Sequence, residues 1–371
     1  MLKKITSALA LGAALFAAAP DAARAAGAPA SYPAEYAQIV EASKAEKGVL
    51  VYSIMAAFNW KPVLDSFAKK YPWIKVETLD LSNEIWDRYF TERASGARTA
   101  DLIASFGVDR WNDFASRGEV LEYTSPEEPA LPAWAKVKPG IYGLSADPVL
   151  ILWNKRLVPQ GTRLDSMKAV VDFAAKQGSS IKGRLTAYDA ASGSVNASFA
   201  WLWSTIDSKS SWETLTKLAP LTKYERSGGS MLEKVTSGEY MAAYLTSAIT
   251  VYTKSNDPAR KAILDWSFVK DGQPLYVRPM AVTKGAASPA SAKLLLDHIL
   301  SKEGQIGFAQ GGLTPVREDI KAGEIPYPTI AQIAEAVGGR DKLKFMSYDE
   351  KSAEDLKAFM ERWRTMLSAV R

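Results

Sequence analysis

The stretch "DAASGSVNASFAWLW" sets Ser192, Gly193 and Ser194 directly ahead of a run with helical spacing. A helix N-terminus presents unpaired N–H groups and about half a positive charge, and glycine lets an oxyanion approach the backbone. Serine hydroxyls add donors, so the triplet predicts a seat for a carboxylate or a phosphate. Plain N-capping is the other reading of the same residues. "SGGSMLEKV", from Ser227 to Val235, offers a second turn of this kind. Arg278 stands in "LYVRPMAV", an apolar strand pattern where a guanidinium needs a partner. That partner is a ligand carboxylate, an internal acid, or solvent at an edge position before Pro279.

Other chemistry is thinly represented. With no cysteine, the chain has no disulfide, no thiolate metal site and no Cys nucleophile. The single histidine, His298, lies inside the helical pattern "AKLLLDHILSKEG" and reads as a helix-surface or core-edge residue. No G-x-S-x-G elbow occurs, so a Ser–His–acid site would have to recruit that histidine. Two carboxylates such as Glu84 and Asp189 are the catalytic arrangement that remains. Binding without catalysis, and without a cofactor, is the expectation.

The elements that position these residues alternate short apolar runs with amphipathic ones, which predicts an α/β architecture. "VLVYS" is a strand ending at Ser53, "IKVETLDL" a second, and "ADLIASFG" a third ending at Ser105 and Phe106. Each is followed by a helix pattern: "WKPVLDSFAKKY", "NEIWDRYFTERASG" and "VDRWNDFASRG". Pro62 fits the first turn of its helix, where a missing N–H costs little. Successive βα units give a parallel sheet whose ligands bind at the carboxyl edge. The loop after Ser53 is oddly apolar, with Met55, Phe58 and Trp60. "DPVLILWNKRLV" is a longer strand that could cross between two lobes. A second α/β region holds "RLTAYD" and "YMAAYLTSA", in which alternation puts Tyr244 and Thr246 on one face. Two helices, about Pro289–Ala309 and Glu350–Val370, finish the chain.

The 371 residues suffice for two cores, and 47% apolar with 23% charged residues is an ordinary globular composition. Lys3, Lys4, the apolar run to Ala19 and Ala23-Arg24-Ala25 predict a cleavable signal peptide over 1–25. Three cations and one anion leave with it, so a net charge of +5 falls to +3, which does not argue for nucleic acid. Without a cysteine at the cleavage site there is no lipid anchor, and the expected location is the periplasm.

The tail "ASPASAKLLLDHILSKEGQIGFAQGGLTPVRED" resembles bacterial family-1 extracellular solute-binding proteins of ABC importers, in their ferric-ion-binding-like branch. "ERASGARTADLIAS", "VLILWNKRLVP" and "AYDAASGS" match the same pattern in the same order. The resemblance implies a type II periplasmic binding protein fold: two α/β lobes with a ligand cleft between them. Residues 48–150 with 278–371 would form the first lobe and 151–277 the second. It places an anion at the Ser192–Ser194 turn and a carboxylate at Glu84, while its paired iron-ligating tyrosines fall on Ala248 and Ile249. The expected function is hinge-closing capture of a small organic anion (carboxylate, phosphonate or sugar phosphate) by a monomer that serves an inner-membrane permease. Ferric ion, a ferric chelate or a polyamine are the alternatives. The expected ligand-binding set is Ser53, Glu84, Ser105, Phe106, Ser192, Gly193, Ser194, Tyr244, Thr246 and Arg278, with no metal site.

Overall fold

The computed structural model describes residues 32–81 and 84–370; the predicted signal peptide lies outside them. The chain runs α1 (Tyr36–Ser43), β1 (Val49–Ser53), α2 (Ala57–Lys70), β2 (Val76–Asp80), α3 (Ile85–Ser95), β3 (Leu102–Ala104) and α4 (Val108–Ser116). Short 3-10 turns lead into β4 (Lys136–Lys138) and the long β5 (Ile141–Asn154). Then come α5 (Met167–Gln177), β6 (Leu185–Tyr188), α6 (Ser194–Ser204), α7 (Ser208–Leu218), β7 (Thr222–Glu225) and α8 (Gly228–Ser237). β8 (Ala242–Ser247), α9 (Ala248–Ser255), α10 (Pro258–Lys261) and β9 (Leu264–Ser267) follow. β10 (Gln273–Val282), α11 (Pro289–Leu300), α12 (Lys302–Gln310), α13 (Ile330–Val337), β11 (Leu343–Phe345) and α14 (Glu350–Val370) complete it.

All five residues of β1 are buried, which is why its sequence is apolar without alternation: it is covered on both faces. It pairs in parallel with β2 and with β3, and β10 closes that half of the sheet antiparallel to β3. β5 is shared. Its first half pairs with β10, from Tyr142 opposite Met280 to Pro148 opposite Leu275. Its second half pairs with β8 and β9 in the other lobe, where β6 stands between β7 and β8. The strand expected to cross between lobes therefore does so, and its fourteen residues are all buried.

Three local differences from the sequence expectations have physical reasons. α2 starts at Ala57, so Pro62 sits in its second turn rather than its first. The missing N–H deprives only the Phe58 carbonyl of its i+4 donor, at a helix end where Phe58 is half exposed. The expected helix over Pro289–Ala309 is two, broken at Ser301, whose extended backbone lets its hydroxyl cap the Gly304 N–H at 3.1 Å. In β8 two residues, Tyr244 and Leu245, stand opposite Ile151, and Leu245 takes a φ of +53°. That is a β-bulge, and it interrupts the alternation expected to align Tyr244 with Thr246.

The C-terminal elements stitch the lobes together. Gln305 of α12 donates to the Leu144 and Ile299 carbonyls and accepts from the Val316 N–H, fixing the helix to β5. α14 buries Leu356, Phe359, Trp363 and Leu367. Phe359 meets Trp212 of α7 at 5.0 Å and Trp363 meets Tyr224 of β7 at 5.3 Å, both in the second lobe. Just before α14, the Asp349 carbonyl accepts from Asn112 of α4, and the Tyr348 hydroxyl donates to the Val277 carbonyl.

Two adjacent buried titrating groups on α11 oppose one another. Burial pushes Asp297 up to about 7, although the hydroxyls of Ser125, Tyr123 and Tyr36 donate to it and pull it back. Burial lowers His298 to about 4, its Nε2 lying 2.7 Å from the Ser66 hydroxyl. For Asp297, the raised value gives stability that is full below its ordinary 3.8 and is lost as pH rises towards 7. For His298 the sign reverses: stability is full above 6.5 and is lost as pH falls towards 4. The two slopes overlap and oppose each other between those limits. Asp297→Asn should therefore expose the histidine slope, with stability rising by up to about 1.4 kcal/mol per pH unit between pH 4 and 6.5 relative to wild type. Urea midpoints at pH 4.5 and 6.5 that move in parallel for both proteins would contradict this.

Candidate functional site

A cavity of about 340 Å³ opens between the lobes, at the carboxyl ends of β1, β2, β3, β6 and β8. The first lobe contributes Ile54, Met55, Ala56, Phe58, Asn59, Asp80 and Phe106. The second contributes Tyr188, Val195, Asn196, Phe199, the run from Arg226 to Gly229, Ser247, Ile249, Thr250 and Lys254. Arg278 enters from β10, which pairs with the first half of β5.

This lining explains the apolar residues after β1. Met55 and Phe58 face the cavity, while Trp60 turns inward, fully buried against Phe308, with its indole N–H donating to Ser53 Oγ at 3.0 Å. A segment that would be wasteful in open water serves a cleft wall and a helix anchor.

Four helices begin at the cavity. Residues from the starts of α2, α6, α8 and α9 line it, and the N-cap positions Ala56, Gly193, Ser227 and Ser247 make no side-chain cap. The helices whose N-cap residue makes a side-chain cap, α5, α7, α10, α12 and α13, start elsewhere, as do α1, α3, α4 and α11, whose N-cap residues make none. Uncapped N–H groups at four convergent helix starts make a field that favours negative charge. The side chains reinforce it: among the described residues, Arg226, Lys254 and Arg278 are set against a single carboxylate, Asp80.

Arg278 is almost wholly buried. One of its amino groups donates to Asp147 Oδ2 at 3.0 Å, and its guanidinium lies 4.0 Å from the centre of the Phe106 ring. Its Nε has no hydrogen-bond partner among the described residues. Asp147 is held independently by the Ser145 hydroxyl and the Thr314 N–H. The internal acid and the cavity-facing role, alternatives in the sequence, are thus both present in the structure. The unpaired Nε–H of Arg278 is sealed within the protein, and a buried donor left without an acceptor costs stability.

Beside it, Tyr188 stacks on Phe199 at 4.2 Å. Burial pushes its phenol up to about 12, against the pull of the Thr250 hydroxyl, the Ser247 N–H and the Arg278 charge. At neutral pH it is a protonated donor. Gly228 makes this cluster possible: a Cβ there would stand 2.4 Å from the Tyr188 hydroxyl and 2.7 Å from that of Thr250.

Of the residues singled out from sequence, Phe106 and Arg278 line the cavity. Ser53 lies beneath it, its hydroxyl engaged by Trp60 and the Met55 N–H. Ser105 bonds to the Phe106 carbonyl, and Ser192 is tied to Asp189 and Asn196. Gly193 and Ser194 open α6, but its next residues, Val195 and Asn196, are the ones that reach the cavity. Tyr244 pairs with Thr222 at 3.0 Å, and Thr246 is buried with its hydroxyl unpartnered among the described residues. Glu84 is exposed ahead of α3, outside the lining.

Sequence reasoning missed Asp80, Tyr188, Thr250, Arg226 and Lys254. Asp80 and Tyr188 had a signal, since each ends a strand at the carboxyl edge; the long side chains of Arg226 and Lys254 had none. The Ser227 turn, ranked second in the sequence, is the one whose residues line the cavity. Ala248 and Ile249, where the resemblance puts paired tyrosines, open α9 with no donor atom. Nearby, Tyr240 bonds to Glu225, and Tyr252 stacks on Tyr327 at 4.7 Å. Among the described residues no three His, Cys, Asp or Glu side chains cluster as a metal site would need.

The sequence pattern of the bacterial extracellular solute-binding proteins matches residues 63–333, most of the chain. The chain belongs to that family. This solute-binding protein is similar in structure to the substrate binding protein of an ABC transporter from Agrobacterium tumefaciens, with a TM-score of 0.77 and 22% identity over 87% of this chain and 95% of that one. It is also similar to iron-bound HitA from Pseudomonas aeruginosa (TM-score 0.68, 14% identity, 86% and 99% covered). A third is AfuA from Actinobacillus pleuropneumoniae, solved with fructose-6-phosphate (TM-score 0.66, 18% identity, 86% and 98% covered). These likenesses show the fold, that of type II periplasmic binding proteins. No curated protein sequence matches this solute-binding protein. Its family binds solutes and does not transform them, and among the described residues no helix is long and apolar enough to cross a membrane.

Proposed function

We propose that this protein is the periplasmic receptor of an ABC importer, exported by the leader at residues 1–25, free of a lipid anchor and monomeric. It captures a small organic anion (a carboxylate, a phosphonate or a sugar phosphate) by closing its lobes, and hands it to an inner-membrane permease. One observation carries the reading: four helix starts without side-chain caps and the buried cation Arg278 converge on one cavity. Each helix start contributes about 0.3–1 kcal/mol towards an anion, so together they supply a useful part of the roughly 8 kcal/mol that micromolar binding requires. Closure follows from linkage, since a ligand touching both lobes stabilises the closed form. The relative solved with a sugar phosphate supports the same ligand class by analogy of fold.

The test is titration of the exported protein with a panel of carboxylates, phosphonates and sugar phosphates, beside ferric citrate and putrescine, read by calorimetry and small-angle scattering. Binding and contraction with an acid is the expected result. Contraction with the iron chelate or the diamine alone would overturn the proposal.

A further inference from the structure

The two walls of the cleft differ in charge. On the first lobe the lining is apolar, with Ile54, Met55, Phe58 and Phe106 prominent, and its single charge is Asp80. On the second lobe and β10 every charge is positive: Arg226, Lys254 and Arg278. Asp80 is exposed at the end of β2 and makes no ion pair among the described residues. A receptor for a simple anion has no use for a carboxylate there, because like charge lowers affinity for the ligand it is meant to hold.

From this polarity we infer that the ligand is amphoteric: an oxyanion head seated on the second lobe, a short apolar segment against the first, and an ammonium group facing Asp80. The inference rests on the anion reading above and adds the opposite end of the molecule. Arg278, the buried cation of the lining, marks the head, and the starts of α8 and α9 supply N–H donors around it. The aliphatic stretch lies on Phe58 and Met55, which need no hydrogen bonds. The amine reaches Asp80, whose charge it neutralises when the lobes meet. Asp80 then selects between ligands as well as binding them: an acid without the amine leaves the carboxylate facing the oxyanion, while one with it gains a charge-assisted contact to the closing lobe.

Matched pairs of probes test this: 3-aminopropylphosphonate against propylphosphonate, and 4-aminobutyrate against butyrate, titrated calorimetrically into wild type, Asp80→Asn and Arg278→Lys. Wild type should bind the amine-bearing member of a pair at least about ten-fold more tightly. Asp80→Asn should erase that preference by weakening the amine-bearing member while leaving the plain acid unchanged or somewhat tighter, and Arg278→Lys should weaken both members. If Asp80→Asn weakens both members equally, Asp80 is a lobe-to-lobe latch onto a cation and the inference falls. If it tightens both, the carboxylate is merely repulsive and the inference falls again. Should wild type bind no member of either pair but bind other acids of the panel, the amphoteric reading fails and the anion reading stands. Binding of no acid at all removes both.

Discussion

Exchanging Arg278 for methionine is expected to weaken anion binding by about 30-fold or more and to cost the fold about 3 kcal/mol or more. Two separate debts fall due. Asp147 is buried, and removing its cation leaves a charge in a low-dielectric site, a change that typically costs about 3–5 kcal/mol. The Ser145 hydroxyl and the Thr314 N–H still hold that carboxylate, which puts the expected cost towards the lower end. Binding loses a charge-assisted donor from a desolvated seat, an effect of about 2–5 kcal/mol in comparable interfaces, or some 30-fold upward. Arg278→Lys separates the two. A lysine keeps a cation for Asp147 and should recover much of the stability, but it has no planar fork to stack on Phe106 and reach the cavity at once. Urea denaturation reads the first effect and calorimetry the second. A methionine variant that binds acids as tightly as wild type would remove Arg278 from the site.

The second large effect is expected from the smallest change, Gly228→Ala. The added methyl carbon would sit 2.4 Å from the Tyr188 oxygen and 2.7 Å from the Thr250 oxygen, well inside contact distance. One of the two hydroxyls, or the start of α8, must move. Overpacking of this kind costs about 1–3 kcal/mol of stability. Binding should suffer more, by about ten-fold to a hundred-fold, because the displaced groups line the cavity. The measurements are a thermal melt beside a titration with whichever acid wild type binds. Unchanged affinity with an unchanged melt would mean that the α8 start can yield without consequence, and that it is not part of the seat.

Much of the scaffold could be read from sequence because the forces that set it are local and periodic. The buried run at Val49–Ser53, the αL glycines at Gly96 and Gly238, and the apolar length of β5 each carry their own signature. α1, α5, α7, α9 and α13 went unread, although α3, α4 and α6 are as short; those three follow directly on strand patterns that frame them. The cavity was legible by edge but not by residue. Sequence places the carboxyl end of a strand, yet which neighbour turns inward depends on tertiary packing. Ser53 and Ser105 look exposed at strand ends, but Trp60 and the adjoining backbone claim them, and the groups one residue on face the cavity. The bulge at Leu245 is the clearest case. Strict alternation pairs Tyr244 with Thr246, and a single residue in a left-handed conformation undoes it.

The placement of α14 bears on how far the jaws can part. Its apolar stripe clings to α7 and β7 behind one lobe, while the residues leading into it are pinned to α4 and β10 behind the other. This helix thus ties the two lobes together at contacts separate from β5, the strand they share. Any wide gape must drag it across a bed of packed aromatic rings, and packed helices slide past one another only in small steps. Parting the lobes must therefore shift α14 as well as bend β5, the strand they share.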